Sequence, residues 1–300
     1  MRPEKDHIDE IATEMAVDPA FVEKDWFAVQ LIELITELQS DIVKPVFSGG
    51  TCLSKAYEVI KRFSEDVDFR GISEGETRTD RKDFREAVLQ KIRSSEDFEI
   101  SDVVSQDKSR YFKVDIQYPQ YYGNALGLRP HLLLEFKLGM QAKRPVQQKR
   151  ISSFIGRYTG QSGQVDINCV DPLEIAADKF SALLWRICSR DRQSDSDDPA
   201  MIRHLHDLAY LYEGHIQQDS GDFYQIIGDI YEADMRRGDL PVSSVSATAG
   251  IVLDELRNDQ LYRAEYESFV DSMSYAADDE NIRFEAALVA FESIMSGIPD

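Results

Sequence analysis

The spacing of apolar positions changes repeatedly through the first half of the chain. Ala28, Leu31, Ile32, Ile35 and Leu38 recur every three or four residues behind Asp18-Pro19, a cap and a first-turn proline, and predict a helix over about residues 19–39. Val43 to Phe47 reads as a short strand running into Ser48-Gly49-Gly50-Thr51, with a short helix following from Leu53 to Ile60. Val67 and Phe69 alternate with Asp66 and Asp68, the period of a half-buried strand, which puts both carboxylates on one face. A polar helix over about 79–94 leads to three more strand candidates, Phe98–Val104, Tyr111–Tyr118 and His131–Leu138.

Beyond about residue 165 the period becomes helical. Asp171-Pro172 repeats the cap-and-proline start, and Ile175, Ala176, Phe180, Leu183, Leu184 and Ile187 form one stripe. Further helices are expected at about 199–214, 221–235, 260–275 and 280–296. The pattern predicts an α+β chain in two parts: a mixed core with an N-terminal helix over 1–165, and a mainly α-helical part over 166–300.

Composition supports a folded chain and complicates its charge. Of 300 residues, 42 % are hydrophobic, enough for a sizeable core. The formal charge of -21 would argue against a nucleic-acid partner if it were evenly spread. It is not: Lys108 to Gln164 holds ten basic residues and two acids, a local +8, and Phe136 to Gln164 has no acid at all. Such a segment can face phosphate, or it can pair with the acidic remainder. Cys52, Cys169 and Cys188 are too scattered for a disulfide framework or a thiolate zinc site. No apolar run reaches the roughly 18–20 residues of a membrane span, and the charged N-terminus is not a signal peptide, so a cytoplasmic protein with no membrane partner is expected.

The residues best suited to chemistry surround the first strand pair. Gly49 and Gly50 let backbone approach a ligand closely, and Thr51 and the amides after it start a helix, where free N–H groups face an anion. Asp66 and Asp68 offer oxygen ligands to a hard divalent cation such as Mg²⁺ or Mn²⁺. A GG pair or a DxD alone is commonplace; the order strand, GGT turn, helix, DxD strand is not. Asp195 to Asp198 repeats the DxD spelling without that context and reads as a flexible surface loop. His204 and His206, two apart on a helix, face different ways and read as packing or hydrogen-bonding residues, while Trp26 and Trp185 are expected to anchor helices in the core.

GGTCLSKAY followed by KRFSEDVDF resembles the first motif of the AbiEii/AbiGii-type nucleotidyltransferase toxins, within the DNA polymerase beta-like nucleotidyltransferase superfamily. The resemblance extends to Val22-Glu23-Lys24-Asp25-Trp26, to Ala177–Leu183 with Arg186, and to Arg203–Leu208, over roughly residues 20–215. It implies a polymerase beta-like core with a small mixed sheet and a helical C-terminal part. It further implies transfer of a nucleoside monophosphate from a nucleoside triphosphate to an acceptor hydroxyl, with Mg²⁺ or Mn²⁺, by the toxin of a toxin–antitoxin or abortive phage-defence system. The implied partners are a cognate antitoxin and the 3′ end of transfer RNA; the alternatives are a protein acceptor, or a module that senses nucleotide or binds protein without turnover.

Carried over residue by residue, Gly49, Gly50, Thr51 and Ser64 would lie against the nucleotide, Asp66 and Asp68 would bind metal, and Lys179 would reach the phosphates. Asp207 matches a family acid that orients the lysine or a basic neighbour. Superfamily members place a third carboxylate on a later strand. Glu135, alternating with Leu132, Leu134 and Phe136, is preferred to Asp115 as metal ligand or base. His204 departs from the family pattern, which carries an acid directly after the arginine. Lys143, Arg144, Lys149 and Arg150 are the candidate acceptor-binding cations.

Overall fold

Alternation in three strands decides how the sheet is built. β2 (Asp66–Ile72), β4 (Tyr111–Gln117) and β5 (Leu132–Met140) bury Val67 and Phe69, Phe112 and Val114, and Leu134 and Phe136 almost completely, while the intervening side chains of β4 stay half-buried. This is a computed structural model, describing residues 2–38, 40–123, 128–160, 164–237 and 244–299. Its chain divides into two compact units, residues 1–170 and 171–300.

With β1 (Lys44–Ser48), β3 (Glu99–Gln106), β6 (Gln147–Ser152) and β7 (Gln164–Cys169), these strands form a mixed sheet of order β3-β4-β5-β2-β1-β7-β6. β2 and β5 run parallel, as do β1 and β7, and the remaining neighbours are antiparallel.

Phe47, Phe69, Phe136 and Phe112 stand opposite one another on β1, β2, β5 and β4. Their successive ring centroids are 5.6, 5.1 and 5.0 Å apart, and the last two pairs are stacked. Phe84 of α4 (Arg78–Arg93) meets Phe136 edge-on at 5.4 Å. One residue earlier on β2 the neighbours change character. Asp68 lies across from Ser48 and Glu135, and Glu135 across from Lys113, so this polar row occupies the other face of the same strands.

Around the sheet, α1 (Lys5–Met15) packs Ile8, Ile11 and Ala12 against Val22, Ile155 and a half-buried Trp26. α2 (Pro19–Thr36) starts where Asp18 accepts from Ala20 N–H at 2.9 Å. It buries three consecutive charges, Glu23, Lys24 and Asp25. The second unit comprises α6 (Pro172–Cys188), α7 (Arg203–Leu211), α8 (Ser220–Arg237), α9 (Val245–Asn258), α10 (Gln260–Met273) and α11 (Phe284–Ser296). Phe180 stacks on Phe291 at 5.6 Å within it. Among the described residues no helix is long and apolar enough to cross a membrane.

Several expectations are corrected. The helix after β1, α3, spans Gly49–Lys55 rather than Leu53–Ile60, because Ser48 is already its extended N-cap; both glycines lie in its first turn. α1, β6, β7, α9 and α5 (Phe154–Thr159) lie outside the elements that periodicity suggests. Trp185 is 41 % exposed, since the buried stripe of α6 runs through Phe180, Leu183, Leu184 and Ile187 and leaves position 185 outside. The loop before α7 is tied down: Asp197 pairs with Arg190 at 2.8 Å, and Asp198 with Arg186 and Arg203 at 3.1 and 3.0 Å.

Because Phe136 touches three other rings, Phe136→Ala is expected to cost about 3–5 kcal/mol, measured by chemical denaturation. A loss under 1 kcal/mol would mean that the row does not hold the sheet.

Candidate active site

Gly49 and Asp68 are mutually constrained. Gly49 has φ +75°, and a Cβ there would stand 2.0 Å from Asp68 Oδ2. Only glycine lets the first turn of α3 come down onto this carboxylate. Gly50 is similarly tight, its absent Cβ lying 2.8 Å from Arg62 Nη2 and 2.9 Å from Ser64 Oγ. Thr51 is buried and its hydroxyl donates to the carbonyls of Asp66 (2.5 Å) and Ser64 (3.4 Å). That hydroxyl therefore ties α3 to the segment entering β2, and the polar groups it leaves for a ligand are backbone amides.

Asp66 and Asp68 share one face of β2, and the parallel register sets Glu135 directly beside Asp68. Asp115 sits farther off on β4, opposite Leu133, with its carboxylate 3.7 Å from His131 Nε2. Tyr111 hydrogen-bonds Glu135; burial, and then the Glu135 carboxylate, raise its phenol pKa. Sequence reasoning missed Tyr111, which had only its place on an alternating strand to mark it.

It also missed the ionic work of α2. Lys24 Nζ donates to Glu65 Oε2 at 2.6 Å and to the Arg129 carbonyl at 2.8 Å, and the Arg129 guanidinium reaches Asp66. Asp25 pairs with Lys55 and accepts from Phe154 N–H at 2.8 Å. Glu23 accepts from Tyr121 and Tyr122 N–H at 2.6 and 3.1 Å. Burial pulls the Lys24 and Lys55 ammonium pKa values down against the pull of Glu65 and Asp25. The available signal was three charges in a row on an otherwise apolar helix.

Among the described residues no group of three or more His, Cys, Asp or Glu side chains converges to hold a metal ion. The donor chemistry still suits one. Asp66 and Asp68 are adjacent oxygen donors, and the Arg129 guanidinium already occupies Asp66 as a cation would. Mg²⁺ is commonly held by one or two carboxylates and completed by substrate phosphates and water.

Of the acceptor-side candidates, Lys143 and Arg144 lie between β5 and β6, and Lys149 and Arg150 on β6. Lys149 Nζ stands 4.7 Å from the Tyr57 ring centroid. Arg150 makes a two-pronged bond to Asp166 at 2.8 and 3.1 Å, so part of its charge is already matched.

In the helical unit, Lys179 Nζ lies 2.6 Å from Asp207 Oδ2, and His206 Nδ1 lies 3.1 Å from the other oxygen of Asp207. Asp207 is fully buried, so these partners hold its charge in place. His206 also packs against Tyr210, Tyr266 and Phe269. Neither ring nitrogen of His204 has a hydrogen-bond partner among the described residues. Burial, then Arg203, Lys179 and Arg186, push its pKa well below the usual 6.5 and keep the ring neutral.

A family model described as the nucleotidyl transferase AbiEii toxin, type IV toxin–antitoxin system, matches residues 38–290. The match begins after α2 and continues well past residue 215, where the motif resemblance ends. Among solved structures, MenT4, a nucleotidyltransferase toxin from Mycobacterium tuberculosis, superposes with a TM-score of 0.53 at 15 % identity. The superposition covers 98 % of this chain and 99 % of that one, a likeness of fold. Comparison with curated protein sequences finds no match.

His204 gives the helical unit a pH signature. The unfolded ring takes a proton near 6.5 and the folded ring does not, so stability is retained above that pH and lost as pH falls below it. Denaturation between pH 7 and 5 should show His204→Gln losing less stability than the parent, by up to about 1.4 kcal/mol per pH unit. Parallel curves would mean that His204 is protonated in the fold.

Proposed function

Since the chain belongs to the AbiEii family of nucleotidyltransferase toxins from type IV toxin–antitoxin systems, we propose that it transfers a nucleoside monophosphate to the 3′ end of a transfer RNA. The reaction would use a nucleoside triphosphate and Mg²⁺ or Mn²⁺ in the cytoplasm, with a cognate antitoxin restraining the enzyme until phage infection. The observation carrying this reading is the row in which Asp68 stands between Ser48 and Glu135, next to Asp66 and beneath Gly49.

In the transfer, the acceptor oxygen bonds to the α-phosphorus, the bond from that phosphorus to the bridging oxygen breaks, and pyrophosphate leaves. A divalent cation held by Asp66 and Asp68 would neutralise charge on the phosphate oxygens. Glu135, a half-buried carboxylate beside Asp68, takes the proton of the acceptor hydroxyl or completes the metal site. Backbone amides of Gly50 and Thr51 and the Lys179 ammonium are assigned to the triphosphate, with Asp207 orienting the lysine. Lys143, Arg144, Lys149 and Arg150 draw the RNA backbone.

Incubation with labelled triphosphates, Mg²⁺ and total RNA tests the reading. Label should enter transfer RNA, and Asp66→Asn or Asp68→Asn should lower it about a hundredfold or more. Label on protein instead would redirect the chemistry to a protein acceptor, and full activity in either variant would remove the metal assignment. Neutralising Lys143, Arg144, Lys149 and Arg150 together should weaken RNA binding and flatten its salt dependence while triphosphate binding persists. Unchanged RNA binding would return the segment to a structural role.

A further inference from the structure

Arg129 is fixed at its backbone and half-solvated at its side chain. Its carbonyl accepts from Lys24 Nζ at 2.8 Å, its N–H donates to Glu65 Oε2 at 2.8 Å, and Lys24 closes the triangle on Glu65 at 2.6 Å. The Lys24 and Glu65 side chains are 4 % and 16 % exposed, so two charges are taken largely out of water to fix this one point of the chain. The Arg129 side chain is 41 % exposed; its guanidinium bonds Asp66, and its Nε stands 4.0 Å from Glu65. A pinned backbone with a half-solvated guanidinium leaves side-chain rotation as the available movement. A divalent cation on Asp66 would repel the guanidinium, and a phosphate bound to that cation would offer it a matching fork of oxygens.

We propose that Arg129 is a transferable counter-ion: its guanidinium covers Asp66 while no divalent cation is bound, and passes to a substrate phosphate when the cation arrives. The inference rests on the reading that Asp66 and Asp68 hold the cation. It makes Arg129 a substrate-contacting residue and Lys24 and Glu65 its positioning residues. The phosphate belongs to the nucleoside triphosphate or to the acceptor RNA, two sources of one chemistry.

The test uses the full chain. Mn²⁺ binding without nucleotide, followed by electron paramagnetic resonance, should tighten about fivefold in Arg129→Ala, because a competing cation is gone. Affinity for a non-hydrolysable triphosphate analogue with Mn²⁺, or KM for acceptor RNA, should worsen about tenfold in the same variant. The first result locates the phosphate on the nucleotide, the second on the acceptor. Arg129→Lys should return Mn²⁺ affinity toward the parent value without restoring the substrate constant in full, because the fork is lost. Unchanged Mn²⁺ affinity in Arg129→Ala, or both substrate constants unmoved, overturns the proposal. Asp66→Asn separates the two readings: if it abolishes Mn²⁺ binding while Arg129→Ala has no effect, the counter-ion alone fails. If it binds Mn²⁺ and transfers nucleotide as before, the metal assignment fails with it.

Discussion

The register between β2 and β5 is the constraint on which the site depends. A slip of one residue would turn every side chain of one strand to the opposite face and exchange Asp68 for Phe69 beside Glu135. The phenylalanines at the adjoining positions oppose such a slip, because Phe69 and Phe136 stack in this pairing and Phe112 and Phe47 extend the same line. Apolar packing on one face thus sets the spacing of charges on the other. The paired strands are parallel and separated by α4, β3 and β4, so the chain must complete the crossover before the two carboxylates meet.

A second constraint comes from α2. A helix that buried only apolar groups in place of Glu23, Lys24 and Asp25 would avoid their desolvation and could be more stable. Each of the three instead fastens a different stretch of the chain: Glu23 the turn at 121–122, Lys24 the Glu65–Arg129 pair, and Asp25 both Lys55 at the end of α3 and the start of α5. Three stretches of chain near the acidic strand are thus fixed by one helix.

Much of this was legible in the sequence and the rest was hidden for identifiable reasons. Strict alternation marked β4 and β5, and the caps at Asp18 and Asp171 marked the starts of α2 and α6, because these signals are local. Asp66 and Asp68 could be placed on one face from period alone. Alternation already favoured Glu135 over Asp115, but its place directly beside Asp68 comes from the register, which no local pattern contains. β7 was missed because Val165, Ile167 and Cys169 form a short run whose parallel partner, Phe47, lies far earlier in the chain. The burial of the α2 ion pairs could not be read from the sequence, since a lysine and a carboxylate carry the same letters whether solvated or sequestered.

β6 closes one edge of the sheet, paired to β7 on one side only. A strand edge with free N–H and C=O groups can recruit a strand from another molecule, and charged side chains along it are a common defence. Lys149 and Arg150 sit on this edge with Lys143 and Arg144 just before it. The same cations that would attract a phosphate backbone are the kind of edge charge that discourages a second copy from extending the sheet.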